Sequence, residues 1–365
     1  MNPNENLFPG GHTPDHIAVA MSGGVDSTVA AALLKQSGVP VFGVYYRLRH
    51  APDGGGSARQ AEQDLSAAAD MAAQLQIPFH VLDGADAFQH HVVETFIRSY
   101  AAGETPNPCI HCNLHIKWDF MLKKALALGA THLASGHYAQ LQFQERFHLL
   151  RGIDRSKDQS YMLSFLSQEQ FQHMLLPLGM HTKADVRNLA EDLRLASADR
   201  PDSQDLCFVG SNDYRAFLRR YAPYAFHEGP ILNTAGEEIG RHTGLADYTI
   251  GQRKGIGIAQ ARPLYVLGKD IHRNALLVGE REELGQDELF AGPMHWIAGK
   301  APALPLHAYV RVRYNAPDVP AVISSAKDRA VHATLAEPLP DITPGQAAVV
   351  YQGDECLGGG LIQAC

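Results

Sequence analysis

The stretch Ser22-Gly23-Gly24-Val25-Asp26-Ser27 constrains this chain more than any other. Residues 17–21 (IAVAM) lead into it with the compact apolar pattern of a buried parallel strand, and residues 28–36 (TVAAALLKQ) leave it rich in helix formers before Gly38. A strand that enters a helix through glycines points several backbone N–H groups outward at the positive end of the helix dipole. Such a turn binds phosphate oxygens without a side-chain charge. Gly23 and Gly24 permit close approach, and Ser22 and Ser27 add hydroxyl donors. Asp26 narrows the reading, because a carboxylate beside phosphates requires a cation between them, ordinarily Mg²⁺. The lysine of the G-x-x-x-x-G-K-[ST] loop is missing and the adjacent glycines do not fit G-x-G-x-x-G, so neither common nucleotide motif is present.

The pattern around the loop continues in kind. Residues 41–46 (VFGVYY) and 78–82 read as strands, 58–75 and 88–100 as helices, and 131–136 (THLASG) as a short strand ending at Gly136. Strand and helix alternating from a phosphate loop predict an α/β fold, a parallel sheet with helices on both faces and ligands at the carboxyl ends of its strands. Both the loop and Gly136 fall at those ends. Residues 182–193 predict a helix with Thr182 as N-cap and Asp185 in the capping-box position, which explains both residues structurally. Residues 156–161 (SKDQSY) lead into an apolar helical run at 162–166, and Lys157 suits a phosphate contact or a solvated helix start equally.

Composition shifts past residue 210. Between 211 and 280, Gly and Pro punctuate short β-like segments at 231–232, 248–250, 264–267 and 275–278, and nine Lys or Arg stand against seven Asp or Glu. The whole chain carries a net charge of −8, so any nucleic-acid site must be local, and the turn Gly251-Gln252-Arg253-Lys254-Gly255 is a candidate contact with RNA backbone. The remainder alternates apolar and polar residues at period two, as at 308–314 (AYVRVRY) and 347–351, which reads as a small antiparallel barrel or sandwich. Three domains are expected, at 1–210, 211–280 and 281–365. No apolar run has membrane-spanning length and residues 1–15 lack a signal pattern, so a cytoplasmic protein without a membrane partner is expected.

Five cysteines in a chain of 365 residues do not suit a disulfide framework. Cys356 and Cys365 lie in the β-rich tail, whereas Cys109, Cys112 and Cys207 lie in polar, turn-rich stretches of the first half. Residues 103–117 (GETPNPCIHCNLHIK) read as a loop that interrupts the alternation. Cys-x-x-Cys with a distant third cysteine permits three chemistries: a thiol relay through a transient disulfide, a structural zinc completed by His111 or His115, or three ligands of an iron–sulfur cluster.

SGGVDS resembles the pyrophosphatase loop of the ATP-pyrophosphatase superfamily, whose members cleave ATP between its α- and β-phosphates to adenylate a substrate oxygen. SGGVDS, TPNPCIHCN, SGHYA, KDQSY, SQDLCF, HTGLADYTIGQRKGIGI and VRVRY together, in this order and over nearly the whole chain, resemble the bacterial tRNA-specific 2-thiouridylases, the MnmA family. The resemblance implies an ATP-pyrophosphatase domain, a small central β-rich domain that binds tRNA and a C-terminal β-barrel. It implies ATP- and Mg²⁺-dependent exchange of the C2 oxygen for sulfur in the wobble uridine, position 34, of tRNAs for Lys, Glu and Gln. ATP contacts are implied at Ala20, Met21, Ser22, Gly23, Gly24, Val25, Asp26, Ser27, Tyr46 and Gly136. The target base is implied at Asn107, Pro108 and Cys109, and tRNA contacts at Lys157, Asp158, Gln159, Arg313 and Tyr314. Cys112 matches the nucleophile and Cys207 the persulfide carrier, supplied by a sulfur-relay protein or a cysteine desulfurase. The resemblance further implies a Cys112–Cys207 disulfide after transfer.

Two positions depart from the family pattern: many members carry aspartate at the place of Cys109 and methionine at that of Tyr46. A thiol at 109 opens an alternative in which Cys109, Cys112 and Cys207 hold a [4Fe-4S] cluster that carries sulfide. A ligase that amidates a small adenylated acid shares the glycine loop as well, but has no use for the placed cysteines.

Overall fold

The computed structural model describes residues 7–48, 56–198, 200, 206–209, 213–340 and 342–364. Cys365 and the 201–205 part of the Cys207 loop lie outside the described residues. The first half supplies strands β1 (Ile17–Ala20), β2 (Val41–Arg47), β3 (Phe79–Asp83) and β4 (His132–Ala134), then a hairpin of β5 (Ala139–Gln144) and β6 (Arg146–Arg151), and finally the short β7 (Met174–Leu175). Five of these form a parallel sheet in the order β3-β2-β1-β4-β7. Ile17 lies opposite Val41 on one side and His132 on the other, which makes β1 the central strand and accounts for its apolar character on both faces. Helix Val25–Gln36 follows β1 and buries Val25, Val29, Ala30 and Leu34.

The expected loop at 103–117 is helical over much of its length. Irregular backbone stops at Asn107, after which helix Pro108–His111, a π-helical stretch Cys112–Met121 and helix Leu122–Ala127 run on without a break. Asn107 causes the start, since its Oδ1 accepts from the Cys109 amide at 3.1 Å and Pro108 occupies the first helical turn, where its missing N–H is not needed. The widened turn loosens carbonyls that Gln170 then satisfies, its Nε2 donating to Trp118 O at 2.9 Å and to Leu114 O at 3.4 Å. Two smaller expectations also fail. Residues 162–166 do not form an α-helix, the only helical turn there being the 3₁₀ segment Ser160–Leu163, and 248–250 is not a strand, because a 3₁₀ turn, Leu245–Asp247, held by Thr243 Oγ1 on the Asp247 carboxylate at 2.8 Å, occupies the approach.

The second half begins with β8 (Gly229–Leu232), β9 (Glu238–His242), β10 (Tyr265–Asp270) and β11 (Ala275–Gly279), a four-stranded sheet around Ile231, Val266, Leu276 and Val278. β12 (Gln286–Ala291), β13 (His295–Trp296), β14 (Leu306–Arg311), β15 (Val319–Ser325), β16 (Val331–Leu339), β17 (Ala347–Gln352) and β18 (Glu355–Leu361) build the rest. Their sheet is completed by the hairpin from the first half: Leu150 lies opposite Glu355 and Leu149 opposite Cys356. Trp118, Leu149 and Tyr161 share one core with Val349, Tyr351 and Cys356. Among the described residues no helix is long and apolar enough to cross a membrane.

Candidate nucleotide and sulfur site

The glycine loop folds around its own hydroxyls. Ser27 Oγ accepts from the Ser22 amide at 3.1 Å and donates to Gly24 O at 3.1 Å, so both serines brace the turn instead of standing free as donors. Gly24 begins the helix with no side-chain cap, which leaves the first-turn amides directed at whatever lies in front. Gly23 has φ +77°, and a Cβ there would stand 2.7 Å from Arg200, whose guanidinium donates to Gly23 O at 2.8 Å and to Asp64 at 2.8 Å. Gly136 is placed by contact: a Cβ on it would meet the Asp26 carbonyl carbon and the Ser27 nitrogen at 2.8 Å. The end of β4 therefore packs directly on the loop.

Asp26 already has a cation. Lys183 Nζ lies 2.7 and 2.8 Å from its two oxygens, and Tyr138 Oη donates to it at 2.7 Å. The carboxylate thus does not by itself demand Mg²⁺. Its side chain is one-third exposed (34%), so it retains an open edge of the kind that Mg²⁺ takes together with phosphate oxygens. Lys183 escaped the sequence reading, although one signal was present: a lysine in the first turn of a helix opposes the dipole and needs an outside reason.

The thiols stand beyond the same strand ends. Tyr46, next to last in β2, brings its hydroxyl to 3.5 Å from Cys112 Sγ. Cys207 is positioned by its neighbour Phe208, whose ring meets those of Phe88, Phe96 and Phe217 at centroid distances of 5.8, 5.2 and 5.4 Å. Cys109 and Cys207 reach solvent yet are walled in by protein, and this poor solvation raises both thiols, Cys109 to about 11 and Cys207 further, with Cys112 adding repulsion in each case. Lys117 opposes the rise at both. Its ammonium also lies 3.4 Å from Nε2 of His137, a buried imidazole kept neutral by desolvation and by that same charge. Lys117 therefore links His137, next to Gly136, to Cys109 and Cys207, a connection that spacing alone did not reveal.

Around Asn107, Pro108 and Cys109 the helix start is fixed by the cap described above and by Asn113 Nδ2 donating to Cys109 O at 3.0 Å. Among the described residues no group of three or more His, Cys, Asp or Glu converges as a metal site, so Cys109, Cys112 and Cys207 do not form a cluster cage in this arrangement and no iron chemistry is derived from them. Tyr314 lies close enough to Cys109 to feel its charge and packs at a tilt against Tyr161, ring centroids 6.2 Å apart, while Arg313 donates to Ile250 O at 3.1 Å and to Thr343. Asp158 is a correction: its carboxylate is buried, accepting from the Gly152 and Ser160 amides at 3.1 Å each, and is not open to RNA. Gln159 instead pins Tyr138, accepting from its amide at 3.0 Å, and Lys157 sits half-buried in the adjoining turn. The basic turn is stapled by Gln252, whose Oε1 accepts from the Thr249 amide at 3.1 Å and whose Nε2 donates to Lys254 O at 2.9 Å, leaving Arg253 and Lys254 exposed.

Residues 15–211 match the family described as tRNA methyl transferase HUP domain, residues 215–280 the tRNA methyl transferase PRC-barrel domain, and residues 286–362 the aminomethyltransferase beta-barrel domain. The tRNA-specific 2-thiouridylase MnmA of Heliobacterium modesticaldum is 44% identical over 353 residues, 95% of this chain and 92% of that protein. Those of Natranaerobius thermophilus (41% over 360 residues) and a Roseiflexus species (42% over 367) cover 95% of this chain and 97% and 98% of their own lengths. The fold is thus a parallel-sheet HUP domain, a central PRC-barrel domain and a C-terminal β-barrel, and the chain belongs to the tRNA-specific 2-thiouridylase MnmA family.

Proposed function

We propose that this chain is a tRNA-uridine 2-sulfurtransferase that uses ATP and Mg²⁺ to replace the C2 oxygen of the wobble uridine, position 34, in tRNAs for Lys, Glu and Gln. The observation that carries the reading is the shared edge: the glycine loop, Gly136 and Cys112 all lie beyond the carboxyl ends of one parallel sheet, Cys112 within 3.5 Å of the Tyr46 hydroxyl near the end of β2. Residues 1–210 act as the adenylating unit, 211–280 as the tRNA-binding unit and 281–365 as the barrel. The protein works in the cytoplasm, with a sulfur-relay protein or a cysteine desulfurase as donor.

A uracil carbonyl oxygen leaves poorly, so it first attacks the α-phosphorus of ATP and pyrophosphate departs. The first-turn amides at 25–27 and Lys183 hold phosphate oxygens; Mg²⁺, when bound at the open edge of Asp26, adds Lewis-acid charge compensation. The terminal sulfur of a Cys207 persulfide then attacks C2 and AMP leaves. Cys112 attacks Cys207 Sγ, the sulfur–sulfur bond breaks toward the uridine, and a Cys112–Cys207 disulfide forms, which a two-electron dithiol reductant reopens. In a variant of the step, Cys112 first releases sulfide from the persulfide, and free sulfide attacks C2. Asn107, Pro108 and Cys109 face the target base, and Lys157, Gln159, Arg313 and Tyr314 contact the tRNA.

Mass spectrometry of nucleosides after incubation with tRNA, ATP and a sulfide source tests this directly. A wobble uridine heavier by the sulfur-for-oxygen difference is expected, and an unchanged mass with wild-type protein would overturn the assignment. Full activity of colourless, iron-free protein is the expected companion result.

A further inference from the structure

The geometry points to a role for Tyr46 that an adenine contact does not explain: we infer that its hydroxyl is a positioning group that donates a hydrogen bond to the Cys112 sulfur and stabilises that sulfur as an anion. Oη and Sγ lie 3.5 Å apart, within hydrogen-bonding range for sulfur. The phenol has little freedom to leave. Tyr46 pairs in register with Leu82 of β3, and its ring packs with that of Phe120 against Gly84, where a Cβ would stand 3.2 Å from the Phe120 ring and 3.7 Å from that of Tyr46. Chemistry fixes the direction of the bond. Burial, with Cys112 and Cys207 adding to it, pushes the phenol well above its ordinary range, so it keeps its proton, and a thiolate has none to give.

Among the described residues, no other group makes this contact with Cys112. Cys109 and Lys117 lie on the same continuous helix, Cys207 comes from the segment anchored by Phe208, and Tyr45 precedes Tyr46 on β2. Lys117 acts on Cys109 and Cys207 through its charge and makes its hydrogen bond to His137. The hydroxyl of Tyr46 is thus the group on the sheet side that distinguishes Cys112 from its two neighbouring thiols. The inference rests on Cys112 being the attacking thiol, but it is tested without tRNA or ATP.

Full-length protein is alkylated with iodoacetamide across about pH 6 to 10, bracketing the ordinary thiol range, and adducts are located by tandem mass spectrometry. A hydrogen bond to an anion changes the ionised fraction about tenfold, and falling nucleophilicity cancels roughly half of that on a logarithmic scale. Tyr46→Phe is therefore expected to slow Cys112 alkylation about threefold at neutral pH and to equal or overtake wild type at high pH, where ionisation is complete. Cys109 and Cys207 are expected to react as before, and buried Cys356 to stay unlabelled, which reports an intact fold. An unchanged neutral-pH rate overturns the inference, as does slowing by the same factor at every pH, which would mean altered access only. Should Tyr46→Phe expose Cys356, the wild-type profile decides: a Cys112 half-limiting rate at a pH below the ordinary thiol range supports the bond, and one at or above that range overturns it. Because no thiolation is measured, failure here is separate from failure of the assigned reaction.

Discussion

Lys183 supplies the counter-charge to Asp26 at the candidate nucleotide loop. Its side chain is 11% exposed and its ammonium touches both oxygens of Asp26, so removing it leaves a carboxylate facing incoming phosphates with no compensating charge. Lys183→Met is expected to weaken ATP binding about ten- to hundredfold, the value of one charge-assisted hydrogen bond. Stability is expected to fall by only about 1 kcal/mol, because solvent screens the exposed part of Asp26. Equilibrium ATP binding and urea melts separate the two effects, and unchanged ATP affinity would remove Lys183 from the site. Lys117 is the corresponding residue on the sulfur side. Lys117→Met deletes the charge that opposes the raised thiols, so alkylation of Cys109 and Cys207 at a given pH is expected to slow while Cys356 stays protected.

At the scale of elements, the cap at Asn107 converts a proline-containing stretch into a helix start and so aims Cys109 and Cys112. Asn107→Ala removes the acceptor for the Cys109 amide and is expected to cost about 1 kcal/mol in thermal or urea melts, with a larger proportional loss of thiolation. The same helix contributes to a column of imidazoles: His91, from the separate helical segment Gln89–Val93, stacks on His115 at 4.6 Å between ring centroids, and His111 follows at 6.2 Å. Desolvation, with repulsion from His115 and His91, lowers His111 from 6.5 to about 4. The folded chain then binds fewer protons than the unfolded chain between those values, so this contribution to stability is full above pH 6.5 and is lost as pH falls toward 4. His111→Phe is expected to keep the ring and to flatten the acid limb by about 1–2 kcal/mol at pH 5. A melting temperature that falls as steeply as wild type's would sink that account. The sheet strands and the glycine loop were legible in the sequence because period and turn chemistry are local signals. The helix at Pro108 was not, since two prolines and Cys-x-x-Cys mimic a loop until Asn107 is seen to cap, and Gln170, far along the chain, rescues the carbonyls of the widened turn. Lys183 and Lys117 escaped for the same reason: their partners, Asp26 and His137, are distant in sequence.

Across the whole molecule, the barrel is tied to the nucleotide half by a strand pair and by a buried charge cluster, neither of which period-two alternation announces. The β5–β6 hairpin joins the barrel through β18, and the turn after it delivers Asp158, whose side chain is 1% exposed, to Arg151 and to Arg311 of β14 at 3.5 and 3.4 Å. Asp318 binds the same two guanidiniums at 2.9 and 2.8 Å, and Arg151 lies over the Tyr351 ring at 3.5 Å. Two arginines from different halves thus share two carboxylates, Asp158 buried at 1% exposure and Asp318 open to solvent at 29%. Breaking such a cluster by removing one partner leaves uncompensated buried charge, so Asp158→Ala is expected to cost about 3–5 kcal/mol. Asp158→Asn keeps an acceptor for the Gly152 and Ser160 amides and is expected to cost less. If Asp158 served mainly to contact tRNA, both variants would melt like wild type and lose only RNA affinity, so urea melts beside a tRNA-binding titration distinguish a fastening role from a recognition role. The same cluster makes a further demand on the fold: a fragment of residues 281–365 lacks the hairpin, Asp158 and the Trp118 and Tyr161 side of its core, and is expected not to fold cooperatively by itself, whereas the intact chain unfolds its first half and barrel together.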